Sequence, residues 1–128
     1  MDTRVFEQIG KAAVCTVIYY TESEGKELRE AFEREVMGWD KVKKRDMFGC
    51  PAYLADGKLF AFLVSEGVVI TQIRKHDRET LGEAFETEPF HAGEREITRW
   101  LKVTIGDLDR LGRVLRFVKK SHETVLRY

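Results

Sequence analysis

The sequence predicts a single α+β domain: an antiparallel β-meander of about four to five strands packed against helices, with a helical segment at the N-terminus and a long helix at the C-terminus. Three observations carry this expectation. Between Val42 and Ile73 apolar residues recur with a period of two around an Asp56-Gly57 pair. On both sides of that stretch they recur at spacings of three and four, the mark of helices with one buried face. The chain has 128 residues, 43% apolar and 34% charged, which suits one ordinary core and neither a disordered nor a fibrous polymer.

The opening segment, Thr3 to Tyr20, is double-natured. Val5, Phe6, Ile9, Ala12, Ala13, Val17 and Tyr20 fit a helical stripe, whereas Val14 to Tyr20 is rich in β-branched and aromatic residues. A helix is therefore expected up to Val14 and left open beyond it. Next, Thr21 and Glu24 have the spacing of a capping box, with Ser23 as the other candidate cap. Leu28, Ala31, Phe32 and Val36 form one stripe, and Gly38 offers a left-handed stop, so a helix is expected from about Gly25 to Met37.

Lys43 to Phe48 then reads as a strand ahead of Pro51, with Gly49 permitting a bend or bulge. Asp56-Gly57 predicts a two-residue hairpin turn, because both central positions of that turn need positive φ. Beyond it, strict alternation would point Phe60, Phe62 and Val64 one way and Leu59, Ala61 and Leu63 the other. Both sets are apolar, so this strand should be central and covered on both faces. Ser65-Glu66-Gly67 turns the chain into a strand from Val68 to Ile73. Asp77 is placed to cap a short helix carrying Leu81, Ala84 and Phe85, which stops before Pro89.

Glu96 to Ile105 alternates again, and Gly106-Asp107 opens a last helix reaching about Leu126. In it Leu108, Leu111, Leu115, Val118, His122 and Val125 follow a 3-4-3-4-3 spacing, widened by Val114, Phe117 and Leu126. A stripe of this width belongs to a helix lying on a sheet; the same seam would also serve a dimer.

Several function classes lack their residues. There are 22 Lys plus Arg and 22 Asp plus Glu, so no net field draws nucleic acid or anionic membrane indiscriminately. No Gly-rich phosphate loop occurs. His76, His91 and His122 are scattered, and neither Cys15 nor Cys50 has a partner two to four residues away, so no metal and no cofactor is implied. A nucleophilic Cys50 would need His91 or His122 beside it; a small buried thiol is the simpler reading, and the protein is expected not to be an enzyme. Ala12 to Tyr20 is interrupted by Thr16 and follows Asp2 and Glu7, unlike a secretory signal. No apolar run approaches the roughly 20 residues of a membrane span. With two widely spaced cysteines, a cytoplasmic chain with reduced thiols and no membrane partner is expected.

Charge partition is more informative. Gly106 to Tyr128 carries three acids and six bases, and Asp40 to Lys58 carries Lys41, Lys43, Lys44, Arg45 and Lys58 against three acids. At about 100° per residue, Arg110, Arg113, Arg116, Lys120 and Arg127 fall opposite the apolar seam. Bases near a helix C-terminus offset its dipole and ordinarily stay solvated. If instead the two stretches converge, Lys43, Lys44, Arg45, Arg110, Arg113, Arg116 and Lys120 would form one patch for phosphates or for an acidic protein partner. Trp39, Trp100 and Tyr53 would either stack on bases or fill the core.

The stretch Lys43 to Val69, KKRDMFGCPAYLADGKLFAFLVSEGVV, resembles the N-terminal domain of the TfoX/Sxy competence regulators. The resemblance lies in Arg45 followed by Met47-Phe48-Gly49, the Asp56-Gly57-Lys58 hairpin continued by Phe60, and the turn bearing Gly67. Phe90, Ile97 to Ile105 and Asp107 to Val125 follow in the family's order. Cys50 replaces a usual glycine, and residues 1–20 have no counterpart. The resemblance implies one such domain over residues 25–126 with an added N-terminal segment, and Met47, Phe48, Gly49, Asp56 and Gly57 as structural motif positions. It further implies a non-enzymatic regulatory module acting through a protein partner or self-association, with kinship to small "double-wing" proteins thought to contact DNA.

Overall fold

A computed structural model describes residues 18–127. The helix expected from Thr3 to Val14 lies outside the described residues, as does Cys15. Ile18 to Tyr20 is not helical; the Tyr19 carbonyl accepts from the Ser65 amide at 2.9 Å.

The chain then runs α1 (Glu22–Val36), β1 (Val42–Met47), β2 (Cys50–Ala55), β3 (Lys58–Val64), β4 (Gly67–Ile70), α2 (Lys75–Ala84), β5 (Thr87–Ala92), β6 (Arg95–Thr104), a 3₁₀ turn (Leu108–Arg110) and α3 (Leu111–Arg127). The α+β class holds. The strands form one antiparallel sheet ordered β1-β2-β3-β4-β6-β5, six rather than four to five. The additional strand is β5, which contains Pro89. Proline cannot donate to a ladder, but β5 is an edge strand, where an amide can be dispensed with, and the register slips between Pro89 and Phe90.

Local chemistry explains the helix ends. α1 starts at Glu22 rather than Gly25: Thr21 is the extended N-cap residue, and its hydroxyl donates to the Glu24 carboxylate at 3.1 Å rather than accepting from a backbone amide. Ser23 lies inside the helix. Gly38 is not a left-handed stop; the helix instead tightens, with Gly38 and Trp39 amides donating three residues back to Glu35 and Val36 carbonyls. Asp77 does not cap α2, whose N-cap is Arg74. It sits in the first turn, where a carboxylate still favours the helix dipole. Asp107 does cap, accepting from the Asp109 amide at 3.0 Å, and a 3₁₀ turn precedes α3.

Two tight turns organise the first half of the sheet. Asp56-Gly57 joins β2 to β3 with φ of 53° and 80°, as its sequence predicts. Phe48-Gly49 makes the same kind of turn between β1 and β2, with φ of 56° and 77°. Met47-Phe48-Gly49 is thus a strand end plus a turn: the strand stops at Met47 rather than Phe48, and of the bend or bulge expected at Gly49 the structure has the bend.

The sheet buries both faces. One face holds Tyr53, Phe60, Leu63, Val68, Ile70 and Val103 against Leu28, Phe32 and Val36 of α1 and Leu111, Val114, Val118 and Val125 of α3. The other holds Cys50, Ala52, Phe62, Val64, Val69 and Phe90, with Tyr19, Tyr20 and Trp100 packed on it. Phe62 meets the rings of Phe90 and Trp100 edge-on at 5.0 and 5.4 Å, so the β5–β6 hairpin curls back over this side.

Alternation fails at one place in β3. The pairing steps from Tyr53↔Ala61 to Leu54↔Leu59, leaving Phe60 as an extra residue. Phe60 therefore shares the helix side with Ala61 and Leu63, and Leu59 joins Phe62 and Val64. The α3 seam shifts as well. Its buried members are Leu111, Val114, Val118, Ser121, His122 and Val125; Leu115 is half-buried and Leu108 exposed. The sheet covers this stripe within one chain, so it is not a free dimer seam.

Candidate functional site

The two basic stretches touch where Lys58 Nζ donates to the Val125 carbonyl at 3.3 Å, but Lys43, Lys44 and Arg45 do not join the α3 cations in one patch. Along β1, Lys44 stands opposite Tyr53 and Arg45 opposite Ala52. Those partners belong to opposite faces of the sheet, so Lys44 projects toward α1 while Lys43 and Arg45 project away. Lys44 is engaged: its Nζ lies 2.8 Å from Glu33 Oε2, which also accepts from Tyr53 Oη at 2.6 Å. Glu33 Oε1 accepts from Arg29 at 3.1 Å, and Arg29 forks onto Glu22, which accepts from Tyr20 Oη at 2.7 Å. Burial pulls the Glu33 carboxyl upward, but the Lys44 and Tyr53 hydrogen bonds outweigh it and hold it below the usual carboxylate range. Burial, aided by Glu33, pushes the Tyr53 phenol up. The network clamps α1 to the sheet, and cations on an exposed edge strand discourage pairing with another chain. Lys44 is therefore accounted for by the fold, whereas Lys43 and Arg45 stay exposed on the edge strand and make no ion pair with another described residue.

The C-terminal cations behave differently. Arg113, Arg116 and Lys120 lie on the exposed side of α3. Arg110 does not: it precedes the helix, donates to the Ala84 carbonyl, and places its guanidinium 4.4 Å from the Phe85 ring centroid. Lys120 is partly engaged, 3.3 Å from Asp77 Oδ1 and 5.3 Å from the Phe117 ring centroid. Arg113 and Arg116 make no ion pair with another described residue.

These two arginines stand on a ridge between two open clefts. On one side, Trp39, Leu115 and Lys119 line a cleft between the end of α1 and α3, with Glu35 and Glu123 among its walls. On the other, Leu81, Ala84, Phe85 and Phe117 floor a cleft of about 460 Å³ between α2 and α3, with Arg113 and Arg116 on its rim. Gly112 and Arg116 line both. Glycine inside a helix costs about 1 kcal/mol relative to alanine. Gly112 has no positive φ, and a Cβ there would meet nothing within 4 Å. The fold's own packing does not require it; what its missing side chain provides is a low saddle across the helix, where the two clefts meet.

The other candidates are occupied by structure. Cys50 is fully buried, and burial raises its thiol to about 12, with Asp46 adding to the effect. His122 packs among Trp39 and Phe60 on the opposite side of the sheet, and His91 lies 3.5 Å from Glu96, so neither imidazole stands ready to activate Cys50. His122 Nε2 donates to the Asp40 carbonyl at 2.8 Å, leaving Nδ1 buried without a partner. Among the described residues no group of three or more His, Cys, Asp or Glu is placed to hold a metal, and no helix is long and apolar enough to cross a membrane. A smaller polar hollow beside Tyr19 and Phe90 is bridged by Lys102, whose Nζ reaches Glu66 at 3.0 Å and Glu88 at 3.5 Å. Lys102 offsets two of the hollow's carboxylates, and Glu24 accepts from the Thr21 hydroxyl. Tyr53 is fully buried, and Trp39 and Trp100 are packed against the two cores, so these aromatics serve mainly as core.

Sequence reasoning placed Arg113, Arg116 and Lys120 correctly on one face and missed the cleft beside them. Its floor comes from two helices distant in the chain. One signal was legible in advance: Gly112, a helix-breaking residue inside a strong helical pattern. A scan against protein-family models and searches of curated proteins and of solved structures found no match to this chain.

Proposed function

We propose that this protein is a non-enzymatic regulatory module, of the TfoX N-terminal type and cytoplasmic, that works by binding another protein through the exposed face of α3. One observation carries the reading: two arginines without ion-pair partners among the described residues crown a ridge between two apolar-floored clefts that meet over Gly112. Apolar clefts rimmed by arginine suit protein contacts, where buried anchors supply affinity and rim charges supply specificity. The order of motifs from Arg45 to Gly67 supports the family reading.

The test is size-exclusion chromatography with light scattering, joined to affinity capture with the wild-type chain and with an Arg113→Glu/Arg116→Glu variant. A captured protein that is lost with the variant upholds the reading. A strictly monomeric chain that captures nothing, or a capture indifferent to both arginines, overturns it.

A second reading is direct nucleic-acid binding, favoured by Arg113, Arg116 and Lys120 sharing one exposed face. It requires a log affinity that falls steeply with log salt, because phosphate contacts release counterions. Fluorescence anisotropy with duplex DNA at two salt concentrations decides it.

A further inference from the structure

We infer that the cleft between α2 and α3 docks an acidic amphipathic helix of a partner protein. This rests on the interaction-module reading and narrows it to one cleft and one partner chemistry.

Shape comes first. α2 has 10 residues and so offers a wall of roughly 15 Å, about three helical turns. The floor is apolar, with Leu81 and Phe85 buried, Phe117 half-buried and Ala84 exposed at the wall's end. A helix carrying apolar residues at three- and four-residue spacing fits such a trough. Gly112 keeps the α3 wall low, so a partner backbone can approach it closely.

Charge selects among occupants. Arg113 and Arg116 are three residues apart on one helical wall, hence neighbours on its surface. No acidic residue lines this cleft, whereas the cleft on the α1 side includes Glu35 and Glu123. Carboxylates repeated along the partner's flank would meet the two guanidinium groups in bidentate pairs. A second copy of this chain is a poor occupant, because the described helices α1, α2 and α3 already bury their apolar faces within their own chain and leave none free to enter the cleft. Nucleic acid is poor as well. The cleft is concave and apolar, and the Phe85 and Phe117 rings are already covered by Arg110 and Lys120, at 4.4 and 5.3 Å from their centroids. A stacking base would have to displace these cations.

The experiment titrates the full 128-residue chain into three fluorescent probes and follows anisotropy. The probes are a stapled peptide of about 14 residues, four turns, with leucines along one face and glutamates flanking them; the same peptide with lysines for glutamates; and a duplex DNA. The glutamate peptide should bind saturably, and the other two should not. Ala84→Glu, which places a carboxylate in the cleft, and Arg113→Glu/Arg116→Glu should each weaken binding about tenfold or more. Lys119→Glu, facing the other cleft, should leave it unchanged. Thermal melts of each variant separate lost binding from lost folding.

Binding weakened by Lys119→Glu but not by Ala84→Glu overturns the cleft assignment and leaves the interaction module standing. Failure of the glutamate peptide to bind overturns the partner chemistry, while the capture experiment still tests the module independently. DNA binding that disappears with Arg113→Glu/Arg116→Glu overturns both.

Discussion

The hydroxyl of Ser121 donates to the carbonyl of Phe60 at 2.7 Å, joining the middle of α3 to the one irregular point of β3. Phe60 is the bulged residue, and a bulge disrupts the ladder that would otherwise pair its backbone groups. The Thr71 amide reaches the same carbonyl at 3.3 Å, and Ser121 Oγ in turn accepts from the Gln72 amide at 3.2 Å. One buried hydroxyl thus fastens the helix to two strands' ends.

Ser121→Ala should therefore destabilise the fold by about 1–2 kcal/mol, since it removes both bonds of this hydroxyl, leaving the Phe60 carbonyl with the Thr71 amide alone and the Gln72 amide without its partner. Urea unfolding should show a lower midpoint at unchanged slope. A loss under about 0.5 kcal/mol, the range of ordinary surface substitutions, would contradict this role.

Gly67→Ala and Gly112→Ala should move stability in opposite directions. A Cβ at Gly67 would overlap the Val103 carbonyl oxygen in the paired strand β6, so a loss above about 3 kcal/mol is expected. At Gly112 the added methyl meets open space, and a gain of about 0.5–1 kcal/mol is expected from helix propensity. Thermal melts of the two variants check both signs.

Phe48 holds φ at 56° with 58% of its surface exposed, so its ring recovers little of what the left-handed backbone costs. Phe48→Asn should raise stability by up to about 1 kcal/mol, because asparagine tolerates that turn position. A destabilised variant would mean that the Phe48 ring has a packing role.

Stability should fall in acid, and Glu33 should carry part of the fall. Its carboxyl is held below its ordinary 4.5 by Lys44 and Tyr53, against the upward pull of burial. Such a group stabilises the fold fully above about pH 4.5 and loses that contribution as pH drops through its lowered folded value. Melting temperature measured from pH 6 to pH 2 should decline less steeply for Glu33→Gln than for the wild type. Glu22, lowered to about 2 mainly by Arg29, titrates in the same direction but is exposed and more weakened by salt.

In a Cys15→Ser background, Cys50 should resist a thiol-alkylating reagent at pH 8. The thiol is buried and raised to about 12, so almost none of it is thiolate there. Labelling should appear only with the unfolding transition in urea. Rapid labelling of the native chain would show that Cys50 is reachable.

Periodicity by itself determined the class of this protein, the Asp56-Gly57 hairpin, the apolar stripe of α3 and the outward face of Arg113, Arg116 and Lys120. Each is a local property, in which a turn demands its φ values and a helix or strand repeats every 3.6 or two residues. Tertiary structure decided the rest. The inserted Phe60 moved Leu59 to the other face, a slip that binary patterning cannot register because both faces are apolar. β5 exists despite Pro89 because it lies at the sheet's edge, and position in a sheet is a relation between strands. Lys44 and Arg110 ceased to be free cations once Glu33, and Ala84 with Phe85, were brought beside them. The cleft under Arg113 needed α2 and α3 to settle side by side, and that placement follows from packing residues far apart in the chain rather than from any local repeat.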